Sequence, residues 1–325
     1  MTTHDSTGGM ARRALGSTGL MVDPLCIGAA ELGDMPDTFA YSVGEEQALD
    51  TIRAIFDGPI AFLDTAAAYG DGESERRIGL VLRERGGLPD GFVLASKADH
   101  DPRTGDFSGD QIRRSVERSL RLLGLDRLRL CYLHDPEHTT FEAAIAPGGP
   151  VEALRRCKEE GLIEHIGVAG GPVDLMIRYI ETGLFEALIS HNRYTLLNIA
   201  ANPLWDVAAR HGVAALNAAP YGSGILAKGP DAYPRYAYQN AGGDLMERAR
   251  LLQAICARHE VPLAAAALQF SLRDPRIVST IVGVSRPERL AQTVELARRP
   301  IPDEVWAELS TVRPDTDDPE ADRWS

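Results

Sequence analysis

Ile60-Ala61-Phe62-Leu63-Asp64-Thr65-Ala66-Ala67-Ala68-Tyr69-Gly70 is an apolar run that stops on a carboxylate and passes into a loop of small residues. A short apolar run bounded in this way reads as a strand buried on both faces. The pattern recurs on either side of it. Pro24–Gly28, Ile60–Asp64, Phe92–Lys97, Arg129–His134, His165–Ala169, Ala187–Ser190, Val213–Ala218 and Ile277–Gly283 form eight such runs, and helical stretches follow most of them. Alternating strands and helices imply a parallel sheet. Eight units in one chain favour an α/β fold of the closed (β/α)8 barrel type, the TIM barrel, over an open doubly wound sheet.

The punctuation agrees with this reading. Arg13–Leu20, with Gly16 and Gly19, predicts an N-terminal hairpin. Ser108-Gly109-Asp110-Gln111 has capping-box spacing and opens a helix that Gly124 closes. Gly161, Gly183 and Gly212 are expected to close later helices. Glu247–His259 and Leu263–Leu272 give two helices before the eighth strand, and Pro302–Val312 an extra C-terminal one. No composition break suggests a second domain, so residues 1–325 are expected to form one barrel domain, with polar tails at about 1–11 and 314–325.

The 325 residues are enough to bury a large core without covalent staples. Acidic residues outnumber basic ones, 47 to 34, for a formal net charge of −13, which disfavours nucleic acid or anionic lipid as a partner. Cys26, Cys131, Cys157 and Cys256 are widely spaced and make no C-x-x-C pair, so neither a disulfide framework nor a zinc site is expected. Cys26 and Cys131 lie in apolar runs and read as buried thiols. With no signal-peptide pattern at Met1–Arg13 and no apolar run of membrane length, the expected setting is the cytoplasm.

In a parallel barrel the site sits at the C-terminal ends of the strands. Three consecutive runs end in ionisable residues, Asp64, Lys97 and His134, and Tyr69 lies on the loop after Asp64. A free phenol with a pKa near 10 is a poor base at neutral pH. A neighbouring ammonium, Lys97, favours the phenolate, and lowering its pKa by three units would take roughly 4 kcal/mol. Asp64 would keep Lys97 charged, and His134 could hydrogen-bond a substrate oxygen. Such a set suits proton transfer to or from an oxygen whose carbon exchanges hydride. Each residue has a plainer reading too: Asp64 a helix cap, Tyr69 a packing residue, Lys97 a surface lysine, His134 a core histidine. His134-Asp135-Pro136-Glu137-His138 could be imagined as a metal site, but Pro136 breaks the helix that would align the histidines, and no metal is expected. No Gly-x-Ser-x-Gly elbow is present.

Leu63–Gly70, the Glu73-Ser74-Glu75 that follows it, Ala95-Ser96-Lys97, Leu133-His134-Asp135-Pro136, Gly161-Leu162-Ile163 with Ile166-Gly167-Val168, and Gly222-Ser223-Gly224-Ile225-Leu226 together resemble the aldo-keto reductases, in order over nearly the whole chain. The resemblance implies a nicotinamide cofactor extended across the barrel mouth without a Rossmann domain, and a catalytic tetrad of Asp64, Tyr69, Lys97 and His134. Arg193-Tyr194-Thr195-Leu196-Leu197 and Pro262–Phe270 are similar to the branch that holds aldose 1-dehydrogenases and pyridoxal dehydrogenase.

The chain departs from the family where cofactor contacts are expected. Ala169-Gly170 replaces Ser-Asn after the fifth strand. His191 stands for Gln after the sixth, as a carboxamide contact or simply a rim residue. Ala218 replaces the stacking aromatic after the seventh, unless Tyr221 serves. Gly222-Ser223-Gly224 offers backbone N–H groups to a pyrophosphate, or is a plain turn. Gly283, Ser285, Arg286 and Arg289 lead from the eighth strand into a helix start. There the arginines could bind an adenosine 2′-phosphate, or the start is merely solvated. Gln292-Thr293 replaces Glu-Asn at the adenine end.

The expected cofactor is NADP or NAD, with the arginines leaning towards NADP. The expected reaction is oxidation of an aldose at C1 to a lactone. General aldehyde or ketone reduction, work on a glycosylated natural product, and a non-catalytic cofactor-binding subunit are the alternatives. The partner is a small carbonyl or sugar substrate, covered by loops such as Gly229–Gly243 with Tyr233, Tyr236, Tyr238, Gln239 and Asn240.

Overall fold

The computed structural model describes residues 10–321; the outermost parts of the two expected tails, 1–9 and 322–325, lie outside the described residues. Strands β1 (Arg13–Ala14) and β2 (Met21–Val22) pair antiparallel as the expected hairpin. The barrel strands are β3 (Leu25–Gly28), β4 (Phe62–Asp64), β5 (Val93–Ala98), β6 (Leu128–His134), β7 (Ile163–Gly170), β8 (Ala187–His191) and β9 (Ala214–Ala218). A small antiparallel pair, β10 (Arg235–Tyr236) with β11 (Gln239–Asn240), follows before the last barrel strand, β12 (Ile277–Gly283). The eight barrel strands are all parallel, and β12 closes the ring by pairing with both β9 and β3. The chain is a (β/α)8 barrel, and each of the eight apolar runs contributes one strand.

Local chemistry sets the helix ends. Ser108 Oγ accepts the Gln111 N–H at the start of helix Gly109–Leu123, and Gly124 ends it in the left-handed region. Helix Leu263–Leu272 has the expected bounds, and the C-terminal helix is Asp303–Leu309. Among the described residues no helix is long and apolar enough to cross a membrane. All four cysteines are free and buried.

Side chains alternate in and out along each strand. Cys26, Phe62, Val93, Ala95, Leu130, Tyr132, Ile189, Leu216 and Ile281 fill the interior, and Leu15, Leu20 and Val22 of the hairpin plug its lower end. The last inward position on each strand therefore rims the mouth. Those positions are Gly28, Asp64, Lys97, His134, Ala169, His191, Ala218 and Gly283, and all eight line one cleft of about 1320 Å³.

The tail is polar but not loose. Asp315 N–H donates to Leu197 O, Ile199 N–H to Asp315 O, and Asn198 Nδ2 to Asp317 O. Glu320 is 1% exposed. The sequence shows no such anchoring because its partners lie more than a hundred residues away.

Candidate active site

The rim is chemically lopsided. Asp64, Lys97 and His134 stand on adjacent strands β4, β5 and β6. The rest of the ring is glycine and alanine apart from His191. Lys97 Nζ donates to Asp64 Oδ2 at 2.5 Å, to Thr65 O at 2.9 Å and to Tyr69 Oη at 3.0 Å. Those three bonds use every proton of an ammonium. Lys97 is only 2% exposed. Burial pulls its pKa down, but Asp64 and Tyr69 outweigh this and hold it above the usual lysine value. Because Tyr69 Oη accepts from Lys97, its own proton is left for an oxygen in the cleft.

The loop that carries Tyr69 is tightly held. Thr65 N–H donates to Ala95 O, Ala67 N–H to Lys97 O, and Tyr69 N–H to Ala66 O. Gly70 has φ +63°, and a side chain there would run into the backbone of Gly33. Close approach of the two backbones needs glycine. Ser74 Oγ bonds Ala29 O and Thr65 Oγ1, while Glu75 accepts from Ser96 Oγ at 2.5 Å. Glu73-Ser74-Glu75 is thus a brace between loop and barrel.

The expected lowering of the Tyr69 pKa does not hold in this structure. Burial is the largest influence and Lys97 offsets it only in part, so the phenol is pushed up to about 12. A low-dielectric setting penalises a phenolate more than one shared ammonium repays.

His134 packs edge-on against the Tyr69 ring, with centroids 5.8 Å apart. Its Nδ1 lies 2.6 Å from Asp99 Oδ1. Sequence reading missed Asp99, though a signal exists. It sits two residues past Lys97, the spacing that keeps a strand residue on the same face.

Of the expected cofactor contacts, Ala169, Gly170, His191, Tyr221, Ser223, Gly224, Gly283, Ser285, Arg286, Arg289 and Gln292 all line the cleft. Gly222 does not: a Cβ there would meet the Tyr236 ring at 2.3 Å, so this glycine makes room for packing. Arg286 and Arg289 are exposed at the far end, where Arg286 precedes helix Pro287–Arg298 and Arg289 bonds Gln292 Oε1. Lys228 adds a third cation to that end. His191 Nε2 is 3.2 Å from Glu320 Oε2. Arg193, fully buried, pairs with Glu320 at 2.8 Å and with Asp318 at 2.7 Å.

The loop expected to cover a sugar is only partly available. Tyr233 and Tyr238 line the cleft, and Tyr238 meets Phe39, at the end of the short helix Pro36–Phe39, at 6.4 Å between ring centroids. Tyr236 is core: its hydroxyl donates to Asn192 O at 2.7 Å and lies 2.9 Å from Thr195 Oγ1. Gln239 and Asn240 are exposed and do not line the cleft.

Comparison with known proteins places this geometry in context. The profile of the Aldo/keto reductase family matches residues 24–313. The chain is 33% identical to D-threo-aldose 1-dehydrogenase from a Pseudomonas species, over 92% of this chain and 97% of that one. It is 30% identical to pyridoxal 4-dehydrogenase from Microbacterium luteolum, over 92% and 96% respectively. Aldo-keto reductase AKR11C1 from Bacillus halodurans, in its holo form, shares the fold. Its TM-score is 0.76 at 22% identity, covering 97% of this chain and 99% of that one.

Proposed function

Because the chain belongs to the aldo/keto reductase family of NAD(P)-dependent oxidoreductases, we propose that it oxidises an aldose at C1 to a lactone. The observation that carries the site assignment is the Lys97-centred cluster, with Nζ bonded at once to Asp64, Thr65 and Tyr69 beneath an open cleft. A nicotinamide, when bound, supplies the hydride acceptor. The rim fits such a group: Gly28, Ala169 and Ala218 carry no bulky side chain into the cleft, and Arg286 and Arg289 offer positive charge at the other end. His191, Ser223, Gly224 and Ser285 would line its path, with Tyr221 flanking it.

Tyr69 is the proton carrier. In oxidation its phenolate takes the hydroxyl proton as hydride leaves the same carbon. In reduction the phenol returns it to the carbonyl oxygen. Lys97 stabilises the phenolate, Asp64 keeps Lys97 in place, and His134 holds the substrate oxygen. Since Tyr69 loses its proton only towards about pH 12, oxidation should gain rate as pH rises. Similarity to an aldose 1-dehydrogenase and the aromatic roof of Phe39, Tyr233 and Tyr238 favour a sugar.

The test is an absorbance screen of reducing sugars and simple aldehydes with NAD, NADP and their reduced forms. Reduction of either cofactor by an aldose is expected. Ready reduction of aldehydes with no turnover of any sugar would replace this reading with a general carbonyl reductase.

A further inference from the structure

Asp99 holds both halves of the acid–base pair. Its Oδ1 is 2.6 Å from His134 Nδ1, and its Oδ2 accepts the Ala68 N–H at 2.8 Å, one residue before Tyr69. Its backbone N–H is in turn satisfied by Ser115 Oγ at 3.0 Å, and the residue is 5% exposed. An ionised carboxylate only accepts hydrogen bonds, so its partner nitrogen must carry a proton. That leaves Nε2, the other ring nitrogen, to meet whatever enters the cleft.

We propose that Asp99 is a positioning residue that fixes the His134 proton on Nδ1, so that Nε2 can donate to a substrate oxygen only while the ring is cationic. The inference rests on the proposed role of His134 in holding that oxygen, and it makes the histidine direction-sensitive. As a cation it donates to a carbonyl. As a neutral ring it has no proton on Nε2 to donate, and the single proton of a substrate hydroxyl stays directed at Tyr69.

The groups facing the ring are Asp64, Tyr69, Lys97, Asp99, Asp135 and His138. Asp135 Oδ1 stands 3.6 Å from Nε2 on the side away from Asp99. Burial pulls the imidazole's pKa down, but Asp135 and Asp99 outweigh it and raise the value to about 9. Below that pH the ring is charged. Carbonyl reduction should therefore fall as pH rises through about 9.

Asp99→Asn separates positioning from mere support. The Ala68 N–H is a fixed donor and will keep the amide oxygen. The amide NH2 then faces Nδ1, which must give up its proton, and the neutral ring carries N–H on Nε2 instead.

The measurements are 15N NMR of full-length, histidine-labelled protein without cofactor, and pH profiles for reduction of 4-nitrobenzaldehyde. The His134 signal is assigned among the eight histidines as the one missing in His134→Gln. Wild type should show the Nδ1–H tautomer in its neutral form. Asp99→Asn should show Nε2–H, lose the reduction limb near pH 9, and reduce roughly tenfold more slowly at pH 7, since a neutral donor is about half as strong as a charged one. An Nε2–H tautomer in wild type overturns the proposal, and that spectrum decides the matter even if the variant fails to fold. An Asp99→Asn variant whose reduction profile keeps the wild-type limb near pH 9 also overturns it. Failure of every sugar as substrate would sink the proposed function yet leave the tautomer readable.

Discussion

The two sides of the barrel mouth are built by opposite rules. On the side of β4, β5 and β6, each strand brings an ionisable side chain to the mouth, and one lysine ties three groups together. On the side of β7, β8, β9 and β12, the strands end in Ala169, His191, Ala218 and Gly283, and polar contacts arrive from elsewhere. Glu320 reaches His191 from the C-terminal segment, and Arg193 is held by Asp318 and Glu320. Proton transfer needs atoms fixed to a fraction of an ångström, which short strand-borne anchors provide. A long, flat ligand needs space and a few distant handles, which small residues and loops provide.

The strongest way to break this contrast is to remove one oxygen from the first side. Tyr69→Phe should lower kcat by about 10²–10⁴-fold. The fold should persist by circular dichroism, and cofactor affinity should be nearly unchanged, because that grip lies on the other side. Retained turnover would remove Tyr69 from its role. Loss of cofactor binding would show that the two sides are not separable.

The contrast also explains which features are legible in the sequence. The eight strands were legible because each is a short apolar run between polar segments, and period 2 places Asp64, Lys97 and His134 inward without further information. Asp99 obeys the same spacing from Lys97 but lies beyond the apolar run, so it reads as loop. Gly222 and Tyr236 pack against each other and do not line the cleft. A glycine that serves a phosphate and a glycine that clears space for a ring look alike, and only the 2.3 Å approach of the Tyr236 ring distinguishes them. Nothing local marks Glu320, whose partner Arg193 lies 127 residues away.

On the second side, Arg193→Ala should cost stability rather than chemistry. It would take the guanidinium from Glu320, 1% exposed, and from Asp318. Removing one partner of a buried ion pair typically costs about 3–5 kcal/mol, to be read from the urea midpoint. A smaller step is Glu320→Gln, which keeps the Asp318 pairing but weakens the hold on His191. A buried charged hydrogen bond is worth about 1.5–3 kcal/mol. Only part of that should reach the ligand, so cofactor Kd should rise about tenfold or less with kcat little changed. A fall in kcat at constant Kd would move His191 to the reacting side and blur the division between the two halves.

The smallest expected effect lies at the outer end of the cleft. Arg286 and Arg289 are exposed, and Arg289 spends one donor on Gln292, so neither is committed to an internal ion pair among the described residues. Exposed charges contribute little, about 0.2–1 kcal/mol per contact, and salt screens them. If they meet the adenosine 2′-phosphate, replacing both with Ala should weaken NADP several-fold and leave NAD almost untouched. The difference should shrink as ionic strength rises, since the extra phosphate carries the charge they would read. Titrating both cofactors against wild type and the double variant, at low and at high salt, measures this directly. Equal weakening of the two would assign the arginines to the pyrophosphate or to the helix start. No change in either would leave the outer end of the cleft governed by shape, with Tyr221 and the glycines around it the next positions to vary.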